Sequence, residues 1–311
     1  MTLTSIEEAL QEQQKGNHAA AIPLFDQAIS KAEKHGDANL PKYLNDRGFS
    51  HVMSQNYEAA EIDNNRALAT SVGAEQRARA LIDRSYVERV AHSDIDRART
   101  SLESAIQIAQ EGTFFHGKAL EFQGRTYLGT DETETMITLF EQADSVYSGL
   151  SNPEVSDPNL DRRSAETKHL LGLAVYEAGE TERGYELQKE ALGLHKKHGN
   201  SWGIKNTLTV MGNMDLDSER VDEAILAYKA AQMIQKPGQR GEAQIALGLA
   251  RAYTAGAQSQ VKILDPAVKA SSPYDCGMME EDFMDLNRMT GKLQESVGRI
   301  PFSELLSGKS S

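Results

Sequence analysis

An alanine recurs along the chain at a nearly constant spacing, and this repeat constrains the fold more than any other feature. The intervals between successive copies are 39, 38, 38, 48, 40 and 36 residues. In most copies a larger apolar residue lies three or four positions earlier, which places both side chains on one face of a helix. The alanines are Ala28, Ala67, Ala105, Ala143, Ala191, Ala231 and Ala267, and the partners are Phe25, Leu102, Phe140, Leu187, Tyr228 and Leu264, with Asn64 as the exception.

A second recurring position lies about twenty residues before each alanine and holds a small residue. A glycine inside a helix costs roughly 1 kcal/mol relative to alanine, so its recurrence indicates that a neighbouring helix approaches closely there. Polar turns such as Gly16-Asn17 and Gly179-Glu180 separate the two positions in each copy, with a weaker turn signal at Gly256. Each copy therefore predicts a helix pair that packs through small residues. These residues are Ala9, Gly48, Ser85, Gly124, Gly172, Gly212 and Gly248.

The composition favours a soluble protein of a reducing compartment. Acidic residues number 46 against 33 basic ones, a formal charge of -13, which disfavours direct binding to nucleic acid or to an anionic membrane. Cys276 is the single cysteine, so an intrachain disulfide is excluded. The acidic, amphipathic N-terminus is unlike a secretory signal, and no stretch of the sequence is apolar enough to span a bilayer. A cytoplasmic location is expected.

The repeat resembles the tetratricopeptide repeat family over roughly residues 5 to 272. The best copies are LLGLAVYEAGETERGYELQKEAL at 170–192 and MGNMDLDSERVDEAILAYKAA at 211–231. The family period is near 34 residues, whereas this chain favours 38 to 40, similar to the extended repeats of bacterial signalling regulators and scaffold proteins. The resemblance implies an all-α, right-handed α-solenoid of about seven helix pairs, with the first helix of each pair lining the concave side.

The long interval marks the expected division of the chain. Four repeats are expected in residues 1–147, a loop insertion at 148–161, and three further repeats in 162–277. Residues 278–311 lack the repeat pattern and are expected to form a capping helix and a tail. Four methionines in this last segment suit either packing of the cap or an adaptable surface for a partner. They are Met278, Met279, Met284 and Met289.

No motif in the sequence makes a convincing catalytic or metal site. Gly112, Gly117 and Lys118 match part of a phosphate-binding loop, but Ala119 replaces the required hydroxyl residue and the preceding segment reads as a helix. His195 and His198 have a spacing that can hold a metal ion, yet the interpretation favoured is a solvated helix end. Trp202 is expected to anchor its own repeat. We therefore expect no cofactor, no metal and no enzymatic activity.

The concave side offers one set of candidate binding residues. Projection of the first helices from the small-residue positions turns nine candidate side chains and Glu121 inward, with the register in the third repeat leaving Arg79 or Asp83 as alternatives. In the family, groove asparagines and basic residues hold a peptide backbone or a terminal carboxylate, but Ile6 and Leu10 break the carboxylate-clamp pattern of chaperone-binding members. Simple solvation of an exposed face is the alternative. The candidates are Lys42, Asn45, Phe49, Arg79, Lys118, Arg125, His169, Asn206 and Asn213.

These observations lead to two hypotheses for the function. The first is a non-enzymatic scaffold or adaptor that binds an acidic peptide or protein segment in its concave groove. The alternative is a regulatory protein that senses a signalling peptide. Regulators of that kind often carry an N-terminal DNA-binding domain, and the repeats here begin almost at Met1, so such a sensor would have to act through a partner.

Overall fold

The computed structural model describes residues 4–151, 158–234 and 241–271. These residues form thirteen α-helices and no strand, which confirms the predicted all-α class. The helices are α1 (Ser5–Gln14), α2 (His18–His35), α3 (Leu40–Met53), α4 (Tyr57–Thr70), α5 (Ala74–Ala91), α6 (Ile95–Ile108), α7 (Phe114–Arg125), α8 (Thr133–Leu150), α9 (Pro158–Glu177), α10 (Thr181–Lys197), α11 (Ser201–Asp217), α12 (Val221–Ile234) and α13 (Glu242–Ser271).

The chain separates into two compact units, Met1–Asn152 and Pro153–Ser311. In the first unit, α1 to α8 form four helical hairpins. Each hairpin packs against the next, and the first helices α3, α5 and α7 also contact one another in sequence. The predicted polar turns are present: Gly16, Gln55 and Ser93 have φ values of 81°, 61° and 54°, so the chain reverses through left-handed backbone at these points.

In the second unit, α9 with α10 and α11 with α12 form two hairpins, and α13 packs on α11 and α12. The turn predicted at Gly256 is wrong, because α13 continues through this glycine as one helix of 30 residues. Helices α8 and α9 both extend into the segment 148–161 that was predicted as a loop, since α8 ends at Leu150 and α9 begins at Pro158. The predicted cap, Cys276 and the four C-terminal methionines lie outside the described residues.

Small residues do permit close helix packing within the hairpins. A Cβ atom added at Gly124 would lie 2.8 Å from the Phe140 ring, and one at Gly212 would lie 2.9 Å from the Tyr228 ring. Real Cβ atoms do not approach other atoms so closely, so glycine is required where the aromatic of the second helix meets the first helix. The recurring alanines of α2, α4, α6, α8, α10 and α12 are all buried.

Three sequence-based expectations about α10 and α11 need correction. The buried partner of Ala191 is Gln188 rather than Leu187, because Gln188 has the three-residue offset that faces α9. His195 is only 2% exposed and packs on the backbone of Gly203, so it is not part of a solvated helix end. Trp202 is 60% exposed and therefore does not anchor its repeat. No helix in the described part of the chain is long and apolar enough to cross a membrane.

Candidate functional site

Most of the predicted site residues of the first unit lie along one face of three consecutive first helices. Side chains at intervals of three or four residues follow one side of a helix. We call this surface the first-helix face, and it consists of Lys42, Asp46, Phe49 and Met53 on α3, Arg79, Asp83, Tyr86 and Arg89 on α5, and Lys118, Phe122 and Arg125 on α7.

A ladder of ion pairs crosses the first-helix face and joins neighbouring helices. Arg79 on α5 pairs with Asp46 on α3, and Lys118 Nζ on α7 lies 3.1 Å from Asp83 Oδ1 on α5. Arg79 Nε also lies 3.5 Å from Asp83 Oδ2 within α5. Each cation therefore reaches back to the aspartate of the preceding hairpin, and the ladder fixes the register between adjacent hairpins.

The ladder changes the predicted electrostatics of this face. Burial opposes the charge of Arg79, but the carboxylates of Asp46 and Asp83 together raise the pKa of its guanidinium. Burial raises the pKa of Asp46, and the charge of Arg79 opposes this rise. Both alternatives for the third repeat, Arg79 and Asp83, thus lie on the face as partners. The positive charges expected at Arg79 and Lys118 are present on this face, and an aspartate of the preceding hairpin is paired with each of them.

Arg125 is also held by a carboxylate, in this case by one from its own helix. Its guanidinium donates to Glu121 Oε1 from Nη2 at 2.6 Å and from Nε at 2.9 Å. Glu121 is fully buried and also accepts a hydrogen bond from the Tyr147 hydroxyl at 3.1 Å. The guanidinium carbon of Arg125 lies 5.6 Å from the centre of the Phe122 ring. The Glu121 carboxylate and the Phe122 ring therefore both hold the Arg125 guanidinium in position.

Aromatic side chains lie between the charges on the first-helix face. The Tyr86 and Phe122 rings meet edge to face with centroids 6.4 Å apart, which joins α5 to α7. On α3, Phe49 and Met53 remain 43% and 49% exposed. The Phe49 ring packs edge-on against the His18 ring with centroids 5.5 Å apart. The face thus presents apolar and cationic groups together.

The remaining predicted residue positions in the two units have other environments. Lys42 is exposed on α3, whereas Asn45 is 1% exposed and lies inside the hairpin, away from the surface. In the second unit, His169 bonds to Gln188, and Asn213 accepts a hydrogen bond from the Tyr228 hydroxyl at 2.6 Å. Asn206 is half-buried on α11.

Metal and phosphate chemistry find no support among the described residues. No group of three or more His, Cys, Asp or Glu side chains within the described ranges could hold a metal ion. At the partial phosphate-loop match, Gly112 makes a turn with φ of 77° and Thr113 caps the start of α7. This segment follows helix α6 rather than a strand, so the arrangement of a phosphate-binding loop does not form.

Of the two aspartates in the ion-pair ladder, sequence reasoning named Asp83 only as an alternative to Arg79 and missed Asp46. The cations Lys42, Arg79 and Lys118 each lie six residues before the recurring small residue, while Asp46 and Asp83 each lie two residues before it. These two offsets repeat with the period of the hairpins, so the pairing of one repeat with the next was visible as a pattern. The side chain that the structure adds without such a signal is Arg89.

Comparison with solved structures supports the fold. No protein-family model matches the chain, and no curated protein matches it. The crystal structure of BtubC (BKLC) from P. vanneervenii has a TM-score of 0.59 at 13% identity, over 70% of this chain and 93% of that one. The apo form of RapI gives 0.54 at 13% identity, over 90% and 82%. An assembly chaperone of RpL4, Acl4, gives 0.53 at 17% identity, over 83% and 96%. The chain has the tetratricopeptide-type helical-repeat fold that its sequence predicted.

Proposed function

We propose that this chain is a non-enzymatic interaction scaffold that binds a segment of a partner protein on its first-helix face. The observation that carries this proposal is the composition of that face. It combines the exposed side chains Phe49 and Met53 with the aromatic pair Tyr86 and Phe122 and with arginines. Aromatic residues, methionine and arginine are the residue types enriched at the cores of protein interfaces.

The ion-pair ladder supports the same proposal. A helical-repeat surface binds tightly only if its helices hold a fixed spacing, because ordering them during binding would cost free energy. The pairs Arg79–Asp46 and Lys118–Asp83 hold α3, α5 and α7 in register before any partner arrives. In this proposal, the ladder residues hold the helices of the first-helix face in register. The residues that contact the partner are Lys42, Phe49, Met53 and Arg125. The partner is an acidic segment, and the setting is the cytoplasm.

The proposal is tested by capture of partners from the native host with the full chain as bait. A Phe49→Glu/Met53→Glu double variant places two charges on the first-helix face and should abolish the capture of specific partners. Ile62→Glu is the matched control, because Ile62 is an exposed large aliphatic residue on the second helix α4, at 53% exposure. Partners that bind the wild type and the control but not the double variant support the surface.

Two other outcomes would redirect the proposal. Equal capture by all three proteins would exclude the first-helix face as the binding surface. Recovery of a short peptide rather than a protein from the purified chain would favour the peptide-sensing alternative. Circular dichroism of each variant would establish that the helices remain intact.

A further inference from the structure

Arg89 on α5 differs from the other arginines of the first-helix face. Arg79 and Arg125 are held by carboxylates. The Arg89 guanidinium, in contrast, makes no ion pair and no hydrogen bond with any residue in the described ranges. Its central carbon lies 5.5 Å from the centre of the Tyr86 ring, the geometry of a cation resting on an aromatic face. The charge of Arg89 therefore has an aromatic contact but no counter-ion.

The surroundings make this lack of a counter-ion costly. Arg89 is partly buried in the last turn of α5. Burial, together with the positive charge of Arg125, lowers the pKa of Arg89 from its ordinary value. Arginine nevertheless stays protonated in proteins, so the charge persists. A partly desolvated charge without a partner destabilises the free protein, and an oxyanion that reaches it would remove that cost.

The neighbouring side chains define the kind of anion that fits. The central carbon of the Arg89 guanidinium lies over the Tyr86 ring, and an arginine guanidinium can donate two parallel N–H hydrogen bonds to a carboxylate or a phosphate. The Phe122 ring joins Tyr86 at 6.4 Å and extends the apolar surface toward α7. A free inorganic ion would use only the charge, whereas an acidic side chain on a peptide would use both the charge and the rings.

We propose that Arg89, with the adjoining Tyr86 and Phe122 rings, is a receptor site for a peptide-borne oxyanion, either the carboxylate of Asp or Glu or the phosphate of a phosphorylated serine. This inference rests on the proposed function in that the ligand is a segment of the partner. It assigns the recognition of negative charge to Arg89. Arg79 and Lys118, which the sequence pattern suggested for that role, act within the ladder instead.

The test uses the full chain and three sets of immobilised twelve-residue peptides. The flanking positions are randomised over uncharged residues, and the central residue is glutamate, phosphoserine or glutamine. We expect the wild type to retain the glutamate or phosphoserine sets about tenfold better than the glutamine set, a factor that corresponds to about 1.4 kcal/mol. A preference for one anionic set alone identifies the source of the oxyanion.

Two variants show whether Arg89 causes the preference. Arg89→Met should bind all three peptide sets equally, while Arg77→Met, which changes an exposed arginine of the same helix, should keep the wild-type preference. The thermal midpoint of Arg89→Met should not fall, because an unpaired charge is replaced by an apolar side chain of similar length. A lower midpoint would show that Arg89 has a structural role and would overturn the inference.

The remaining outcomes separate this inference from the proposed function. Equal retention of all three sets by the wild type, or an unchanged preference in Arg89→Met, would overturn the oxyanion site. If the Phe49→Glu/Met53→Glu variant still loses the captured partners in that case, the first-helix face stands as a binding surface without this site. Retention of partners by that double variant, together with a preference that Arg89→Met removes, would leave the oxyanion site and exclude the wider surface.

Discussion

The hairpins α3/α4 and α9/α10 both have an amide side chain where most other repeats have an aromatic or aliphatic one. The hydrogen bonding of this amide differs between the two hairpins. In α9/α10, Gln188 Nε2 donates to the His169 carbonyl at 2.8 Å, and Gln188 Oε1 lies 2.8 Å from His169 Nδ1. In α3/α4, the equivalent Asn64 is 2% exposed, yet its Oδ1 accepts no hydrogen bond within the described parts of the chain. One hairpin satisfies its buried amide and the other does not.

The length of the side chains explains this difference. Asn64 is one methylene shorter than Gln188, and the residue three positions before the first-helix glycine is Asn45 in α3 where it is the larger His169 in α9. Neither Nδ2 nor Oδ1 of Asn45 has a partner among the described residues. A buried polar group without a partner costs about 1–3 kcal/mol. The comparison teaches that α3, the helix that carries Phe49 and Met53, belongs to a hairpin with unsatisfied buried amide groups.

The largest expected effect on stability comes from adding a side chain at the glycine where the first helix of the hairpin contacts the second. A Cβ atom at Gly172 would lie 2.8 Å from Gln188 Nε2 and 3.0 Å from the Gly184 carbonyl oxygen. Gly172→Leu should therefore destabilise the second unit by about 3 kcal/mol, since overpacking forces backbone shifts. Gly193→Leu is the control, because Gly193 on α10 has open space at its Cβ position. Urea unfolding of both variants measures the difference, and equal midpoints would contradict the packing argument.

Replacing each amide by leucine should change stability in opposite directions. Gln188→Leu removes two hydrogen bonds to His169 and should destabilise α9/α10 by about 2 kcal/mol. Asn64→Leu replaces an unsatisfied amide with the aliphatic residue that the repeat accepts elsewhere, as Leu102 on α6 shows. It should stabilise α3/α4 by about 1 kcal/mol.

Hydrogen exchange, followed helix by helix, is the suitable measurement for these two variants because it reports the stability of each hairpin separately. Slower exchange in α4 of Asn64→Leu and faster exchange in α10 of Gln188→Leu are expected. Faster exchange in both variants would show that Asn64 is satisfied, and the comparison between the hairpins would then fail.

Residues that act within one hairpin could be predicted from the sequence. The pairs Gly124–Phe140 and Gly212–Tyr228 were visible because small and aromatic residues recur at fixed offsets, and the structure brings each pair together. The turn at Gly256 was wrong because glycine alone does not end a helix. Contacts between successive hairpins had a weaker signal, because the repeated offsets of the ladder residues do not say which cation pairs with which aspartate.

Burial at the ends of helices was the least predictable property. His195 precedes two lysines and looked solvated, yet it packs under the start of α11 beside Gly203. Trp202 looked like an anchor from its size, although the first turn of α11 leaves it exposed. Arg89 could not be singled out, because its distinguishing property is that no carboxylate among the described residues of the neighbouring helices pairs with it. Each of these environments depends on which groups a neighbouring helix does or does not bring to the position.

Introducing the hydrogen-bonded pair of α9/α10 at the equivalent positions of α3/α4 tests whether side-chain length causes the difference between the hairpins. The double variant Asn45→His/Asn64→Gln gives α3/α4 the two side chains that bond in α9/α10. We expect a favourable coupling of about 1 kcal/mol relative to the sum of the two single variants, because each new side chain supplies the partner that the other needs. A double-mutant cycle by urea unfolding measures this coupling. Zero coupling would mean that backbone spacing, rather than side-chain length, prevents the bond.

The smallest expected effect is a difference in the response of the two hairpins to acid. Burial lowers the pKa of His195 on α10, and it lowers the pKa of His51 on α3. Both side chains are therefore neutral in the folded protein near neutral pH. As the pH falls below the ordinary histidine value of 6.5, the unfolded chain binds a proton more readily than the folded one, so stability decreases with acidification until the folded histidine is protonated too.

Because of the groups around each histidine, we expect this loss of stability to be larger in α9/α10 than in α3/α4. His195 receives a favourable influence from Glu166 and an unfavourable one from His198, whose side chain lies 3.0 Å from Asp161. His51 has the buried carboxylate of Asp63 at 4.0 Å, which offsets part of the cost of protonation, although Arg47 opposes it and Asp26 adds a weaker favourable influence.

Hydrogen exchange between about pH 7.5 and pH 5 tests this last difference, since histidine is the side chain that ordinarily titrates there. Intrinsic exchange rates must be corrected for pH at each step. Protection of α10 should fall more steeply than protection of α3, and His195→Gln should flatten the slope for α10 because a neutral amide takes the place of the imidazole. His51→Gln should change the slope for α3 less. Equal slopes for the two helices in the wild type would show that the Asp63 carboxylate gives no relief, and that burial alone sets the response of both hairpins.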